Sequence, residues 1–471
     1  MTNTITNTMS QSHTAIKSLF YAFVLAVASS GLVSFNWLPS LAMQNGNLAF
    51  FIAYAVCLFI ISTPLLSAEI TSGFLSKKTM TGTLKMLTRS NRFRSFVLIA
   101  LISAFPLIII LLIKSALGLN FALNSLENVS MNPDMPLYQS LIQSKAHLHN
   151  VISLDGAMLI AMLIIMSLVL LANLFRCKAM FISFFSLFGF VLLIVITLSM
   201  IALKSQDTGG FFKANWYYLS LFHTWGNAAI ASVLTVFSGL GIFMLIGHQL
   251  PEKTPLKAFT VTYMLTTLII GFASCLLLYS LIPHEGLITP NFSIPFSALY
   301  QALSASPQSI EIGFYLCLTL ISLSSLILII RPFIDMATKS MKKQKLQIFV
   351  ILTAIYIIVA AIYSTSQLNT LLMLKFITID YLIPFTALCI CFFVGWIYDA
   401  QNLSYRLRKA TGIRLSSSFH VLIRLLIPTW LLSLLLNGIY WQQGYVYHAI
   451  LVLICFVTVV ITGSLLHRRF K

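Results

Sequence analysis

Acidic residues are nearly missing from this sequence: 11 Asp and Glu stand against 29 Lys and Arg in 471 residues, and all charged residues together make up 8%. So little charge cannot dress the surface that a water-soluble globule of this length would expose, and it excludes one. The seven cysteines (Cys57, Cys177, Cys275, Cys317, Cys389, Cys391 and Cys455) fall in or beside apolar stretches and none in a segment read as an outer loop, so no disulfide framework is implied. Catalytic clusters are missing too. His147 and His149 share an outer loop, His223 and His248 flank one apolar run, and neither metal-ligand spacing nor a nucleophile elbow occurs. Enzyme chemistry and a resident cofactor therefore have no support.

What fills the chain instead is hydrophobic sequence, 59% of it. A helix rising about 1.5 Å per residue needs roughly 20 apolar residues to cross a hydrocarbon core about 30 Å thick. Twelve runs of that kind lie near 17–39, 48–70, 95–118, 153–175, 179–204, 222–247, 257–283, 309–334, 347–366, 376–398, 416–437 and 446–466. They are continuously apolar and not alternating, which favours helices over a barrel, and every backbone amide must be satisfied internally in lipid. The expected fold is all-α and polytopic, with about 12 transmembrane helices. The first run lacks a small-residue cleavage site and reads as a retained helix, preceded by a disordered cytoplasmic tail over 1–12.

The net charge of +18 would suit a nucleic-acid ligand, but the cations fall on one side. With both termini inside, inner loops collect Lys77, Lys78, Lys85, Arg89, Arg92, Arg94, Lys253, Lys257, Arg406, Arg408, Lys409, Arg414, Arg468 and Arg469, among others. Outer segments hold Lys114, Lys145, Lys204, Lys213 and Lys375. This is the positive-inside asymmetry; it supports the even helix count and cytoplasmic termini, and no nucleic acid is needed. Short termini and compact outer loops look prokaryotic and place the chain in an inner (cell) membrane.

The longest outer connection is expected at about 119–152, and the next, 284–308, carries a helix-start pattern from Pro290 to Tyr300 that suits an outer lid or plain packing. Two runs share one peculiarity. The first holds Ala28-Ser-Ser-Gly-Leu-Val-Ser34 and the sixth Thr235-Val-Phe-Ser-Gly-Leu-Gly241, and each opens a block of five helices. Matching interruptions in two halves point to inverted repeats whose broken helices meet at a central site, where freed amides and carbonyls serve ions and polar groups. Close packing of small residues is the alternative for either segment taken alone.

At the first two runs the text Gly31-Leu-Val-Ser-Phe-Asn-Trp-Leu-Pro39, Gln44-Asn-Gly-Asn-Leu-Ala-Phe50 and Thr63-Pro-Leu-Leu-Ser-Ala-Glu69 resembles, in order and spacing, the neurotransmitter:sodium symporter family. Looser echoes are Thr235 to Gly241, Ser322-Leu-Ser-Ser325 with Arg331-Pro332, Trp396-Ile-Tyr398 and Arg424 to Pro428. The resemblance implies the family's five-plus-five inverted repeat with helices 1 and 6 broken. It divides the chain into 13–204 (helices 1–5), 205–400 (helices 6–10) and 401–471 (helices 11–12 and the cytoplasmic C-terminus).

By the same resemblance, a sodium site would be formed by the hydroxyls of Ser324 and Ser325 with the carbonyls of Val27, Ser30 and Ile321. Serines that merely bond back to their own helix are the other reading of that pair. The family's first sodium site is poorly kept: its two asparagine ligands appear as Ser34 and Tyr263, only Thr235 retains its type, and the carboxylate-binding glycine and tyrosine become Val33 and Ile113. The substrate pocket carried over is Ser29, Gly31, Leu32, Val33, Ile109, Ile113, Leu234, Thr235, Phe237, Ser325 and Ile329. Its apolar lining suits a neutral amino acid or related amine. The outer-gate arginine falls on Trp37, which either closes the vestibule or belongs to an interfacial aromatic belt. Glu69, an acid inside an apolar helix, is expected to accept amides freed by the break in helix 6, with protonation as its other role.

The expectation is a symporter importing an amino acid or amine with sodium as coupling ion, by alternating access. A proton-linked, uncoupled or non-transporting relative stands as the alternative. A lipid-linked glycan exporter would explain neither the paired interruptions nor the run from Asn45-Gly46 to Glu69.

Overall fold

The structure, a computed structural model, describes residues 2–30, 33–34, 37–88, 94–126, 156–174, 178–203, 209–281, 308–338, 348, 350–359, 377–437 and 445–470. Among these residues the regular elements are all helical. In chain order they are α1 (Thr2–Ser30), α2 (Leu38–Gln44), α3 (Leu48–Ser76), α4 (Met80–Thr88), α5 (Arg94–Leu126), α6 (Gly156–Leu174), α7 (Lys178–Leu203), α8 (Phe222–Thr235), α9 (Ile242–Gln249), α10 (Leu256–Leu281), α11 (Gln308–Thr338), α12 (Val350–Val359), α13 (Ile377–Ile397), α14 (Ala400–Thr411), α15 (Ser417–Leu436) and α16 (Tyr445–Phe470). Nine of them among the described residues, α3, α5, α6, α7, α10, α11, α13, α15 and α16, are long and apolar enough to cross a membrane. The chain is a multi-pass membrane protein.

Two further runs are each divided into two helices. α1 stops at Ser30, Val33 and Ser34 form a turn, and α2 restarts at Leu38 with Pro39 in its first turn. Val33 O accepts the amides of both Trp37 and Leu38 at 3.0 Å, while Ser34 N reaches back to Ser30 O at 2.9 Å. The second break separates α8 from α9 and is built by three left-handed residues, Phe237 (φ 47°), Gly239 (φ 83°) and Gly241 (φ 76°). A β-carbon on Gly239 would lie 2.5 Å from the Thr386 carbonyl carbon of α13, so conformation and space both demand glycine there. The paired interruptions read from the sequence are thus real departures from helix.

α11 forms the centre of the bundle, packed along α5 and α7, and α1 packs against α10, α7 and α11. α9 lies along the second half of α3, and small residues set that crossing. A β-carbon on Gly73 would come within 2.0 Å of Met244 O, and one on Gly247 within 2.2 Å of Ile70 O. At the periphery α16 turns Leu453, Phe456, Ile461 and Leu465 outward, as a lipid-facing helix must.

The structure corrects some sequence readings. Helix α1 begins at Thr2, so most of the expected disordered tail over 1–12 continues a helix already nucleated downstream, where each added residue gains a bond. The outer connection expected from 119 starts later, because α5 runs to Leu126. There Phe121 stacks on Tyr315 of α11 at 5.1 Å and the Ser125 hydroxyl donates to Glu311 Oε1 at 2.9 Å, contacts that hold the extra turns. Lys114, assigned to an outer segment, is fully buried inside α5. The expected lid over 284–308 and Lys375 lie outside the described residues, apart from Gln308.

Close backbone approach at α3 and α9 yields a first prediction. Gly247→Val should lower the thermal stability of the purified protein by about 1–3 kcal/mol or more, since overpacking forces backbones apart. Gly156→Ala, whose added methyl meets nothing within 4 Å, should leave the melting curve unchanged.

Candidate substrate and ion site

The last turn of a helix leaves its carbonyls without intrahelical partners, and at α1 that turn is buried in the middle of the bundle. Ala26, Val27, Ala28, Ser29 and Ser30 are all fully buried. On one side the orphaned end faces α11. Ser325 Oγ donates to Ala28 O across the gap and also to Ile321 O of its own helix at 3.1 Å, and Ser324 Oγ donates to Ile321 O at 2.8 Å. Each serine thus bonds back to its own turn, as the second reading of the pair has it, and Ser325 additionally bridges to the broken end. Hydroxyl and carbonyl oxygens so gathered, without an acid among them, are neutral hard donors, a type of group able to replace a monovalent cation's hydration shell.

On its other side the same end of α1 is closed by protein. The Tyr263 hydroxyl of α10 shares a short hydrogen bond with Ser29 Oγ and donates to Thr235 O, the last residue of α8, at 3.3 Å. Thr235 Oγ1 in turn meets the Tyr54 hydroxyl of α3 at 3.2 Å and donates to Ala231 O at 2.7 Å. Ser29, Tyr54, Thr235 and Tyr263 are all fully buried. One tyrosine hydroxyl thus ties the two broken helices together and satisfies the carbonyl at the end of α8. Close by, Ser34 Oγ is buried without a hydrogen-bond partner among the described residues.

The break between α8 and α9 leans on Glu69. Its Oε1 accepts from Gly239 N at 2.6 Å and from Ser238 Oγ at 2.8 Å, while Oε2 is buried with no hydrogen-bond partner among the described residues. The amide that leaves the helix at Gly239 is satisfied by the acid expected to do so from the sequence. The cause is local: left-handed turns at Phe237 and Gly239 swing the amide away from its own helix and toward α3.

Of the remaining pocket positions, Val33, Ile109, Ile113, Leu234, Phe237 and Ile329 are each 0–1% exposed, in α5, α8, α11 and the two breaks. Gly31 and Leu32 lie outside the described residues. Trp37, 7% exposed, caps α2 and lies under the Lys114 ammonium at 4.9 Å from its ring centroid, so it packs inside the bundle and not in an interfacial belt. Sequence reasoning missed Lys114 because its flanks are long apolar runs and it was counted as a loop charge. An intramembrane cation is itself a functional signal and could have found it.

Other sequence echoes prove to be fasteners. The Asn45-Gly46-Asn47 turn is pinned by Asn215 N donating to Gly46 O at 3.2 Å and by the Tyr279 hydroxyl donating to Asn47 Oδ1. Arg424 of α15 donates to Gly395 O and to Asp399 Oδ1, both at 2.7 Å, and Trp396 Nε1 donates to Arg424 O. Arg331 of α11 donates to Gln249 Oε1 at the end of α9, with the Tyr21 hydroxyl of α1 at 3.5 Å. Beside it, Lys77 donates to Leu250 O at 2.7 Å; partial burial pulls its pKa down against the opposing charge of Glu252.

No family model matches the chain. A protein of Methanocaldococcus jannaschii named as an uncharacterized sodium-dependent transporter is 23% identical over 426 residues, covering 83% of this chain and 84% of the relative. Among solved structures, MhsT in complex with L-phenylalanine superposes with a TM-score of 0.75 at 16% identity, over 88% of this chain and 98% of MhsT. The chain therefore has the MhsT fold, and the family resemblance read from its first 75 residues is borne out on both comparisons. What it is similar to are transporters and not enzymes.

Glu69 gives the test of this geometry. Glu69→Ala should strip the Gly239 amide of its acceptor and cost about 1–3 kcal/mol of stability, the penalty for a buried unsatisfied polar group. Glu69→Gln keeps one acceptor oxygen and should lose less; calorimetry or dye-based melting of the detergent-purified variants reads both.

Proposed function

We propose that the chain is a sodium-coupled secondary transporter that imports a neutral amino acid or related amine with an apolar side chain, by alternating access. One observation carries the reading: Ser325 of α11 reaches the freed Ala28 carbonyl at the broken end of α1, with Ser324 and the Ile321 carbonyl beside it. In this reading sodium is bound by Ser324, Ser325 and the carbonyls of Val27, Ser30 and Ile321, and so joins α1 to α11. The ion favours the arrangement in which the substrate cradle is complete, because a ligand shifts an equilibrium by its preference for one state.

The substrate is read as lying between the two breaks. Its polar head meets Ser29, Val33, Ser34 and Thr235, and its side chain meets Ile109, Ile113, Leu234, Phe237 and Ile329, with Gly31 and Leu32 completing the wall. Burial of these positions and the unpartnered Ser34 hydroxyl support that placement. MhsT, solved with L-phenylalanine, lends an apolar amino acid as the first substrate to try. The Tyr263 bridge supports a single coupling ion, since its hydroxyl already serves the carbonyl facing the second break. Arg331, Gln249 and Tyr21 join α11, α9 and α1 toward the basic end, and inward opening requires them to part. With the positive-inside distribution, both termini lie in the cytoplasm and transport runs across the inner membrane.

Reconstituted protein should accumulate an apolar amino acid when sodium is outside and lose that uptake when choline replaces it; uptake indifferent to the swap points to the uncoupled or proton-linked alternative. Ser325→Ala should weaken sodium activation about tenfold or more, a lost contact to a charged group being worth ~1.5–3 kcal/mol. Sodium should activate wild-type uptake with a Hill slope of about 1, as one site allows. A slope near 2 would refute the single-ion reading without touching the transport assignment.

A further inference from the structure

Away from the helix breaks, a cavity of about 350 Å³ opens on the flank of the bundle where α3, the start of α10 and the turn from α14 into α15 converge. Its walls carry two cations, Lys257 and Arg414, and no acid. Both cations are exposed, and both sit at the head of a membrane helix: Lys257 is the second residue of α10 and Arg414 precedes α15. They mark the level at which polar headgroups begin. The rest of the wall is mostly apolar, with Phe59 and Val261 42% and 44% exposed and Leu422 among its lining, and it carries the hydroxyls of Thr63, Ser67, Thr71, Thr260 and Ser418. Ser416 adds a hydroxyl at the rim.

A site that pairs positive charge at headgroup depth with an apolar channel at acyl depth matches one molecule already surrounding the protein. We propose that this cavity holds one anionic phospholipid from the leaflet on the basic side, its phosphate on Lys257 and Arg414 and an acyl chain along Phe59, Val261 and Leu422. Charge complementarity selects the headgroup, because a phosphate without a compensating choline or amine keeps its net negative charge against two cations. The leaflet follows from the same asymmetry that orients the helices: Lys253, Arg406, Arg408 and Lys409 lie within three residues of lining positions along the chain. Because α3 carries Glu69 and α10 carries Tyr263, a lipid seated here touches two helices that brace the breaks, although the proposal does not depend on what the protein transports.

Native mass spectrometry of the delipidated protein, titrated with equimolar phosphatidylglycerol and phosphatidylcholine of identical chains, tests it. One phosphatidylglycerol should be retained with a preference of roughly tenfold, the scale expected of two basic groups at a membrane surface. The pair Lys257→Gln/Arg414→Gln should abolish the preference, Lys257→Arg/Arg414→Lys should keep it, and Arg406→Gln/Lys409→Gln, outside the cavity, should leave it unchanged. Equal retention of the two lipids by the wild type would overturn the proposal whether or not the variants fold. So would an equal loss on removing Arg406 and Lys409, which would mean a diffuse field, or displacement of the lipid by glycerol 1-phosphate at the same concentration, which would mean a soluble phosphate ligand.

Discussion

A main chain that leaves its helix inside a bilayer has to find partners for the amides and carbonyls it frees, since no water is there to take them. Everything central in this protein follows from that constraint. At the break between α8 and α9 the freed amide of Gly239 goes to Glu69, which is why an acid is tolerated in the middle of α3. At the end of α1 the freed carbonyl of Ala28 goes to Ser325. The interrupted helices are thus held by specific acceptors and donors from their neighbours, and the same oxygens form the proposed binding site.

The two sides of the broken α1 are unlike. Toward α11 lies a group of hydroxyls and carbonyls whose bonds are made by mobile protons and can yield to a cation. Toward α10 and α3 lie four fully buried hydroxyls, Tyr54, Thr235, Tyr263 and Ser29, linked by hydrogen bonds to one another and to the Thr235 carbonyl. A tyrosine bridging two half-helices supplies in one side chain what an ion would do by electrostatics, at the cost of a fixed geometry. Stability and function meet here, because substitutions that loosen either side act on the same few kcal/mol that hold the breaks in place.

The charge pattern has two consequences at different scales. Gathered on one side of the expected topology, the cations are the basis of the proposed orientation. Gathered at one cavity, two of them meet an apolar channel and acquire a local role. Lys114 stands apart as a fully buried cation, lying over Trp37 within α5. Elsewhere the resemblance text from Asn45 to Asn47 and from Trp396 to Arg424 turned out to brace loops and helix ends, so a motif shared with a family is as often a fastener as a ligand.

The sequence by itself determined that the chain is helical and membrane-spanning, because apolar length is a local, additive property of the residues. It also located both helix breaks from their small and polar residues, and the family resemblance paired Glu69 with the second. Only the tertiary structure decided what closes each break: that Tyr263 reaches Ser29, 234 residues away, and that Ser325 meets Ala28. It alone buried Lys114 and prolonged α5 to Leu126. The reason is that a hydrogen bond between helices depends on their relative depth and rotation in the bundle, quantities that no run of residues carries.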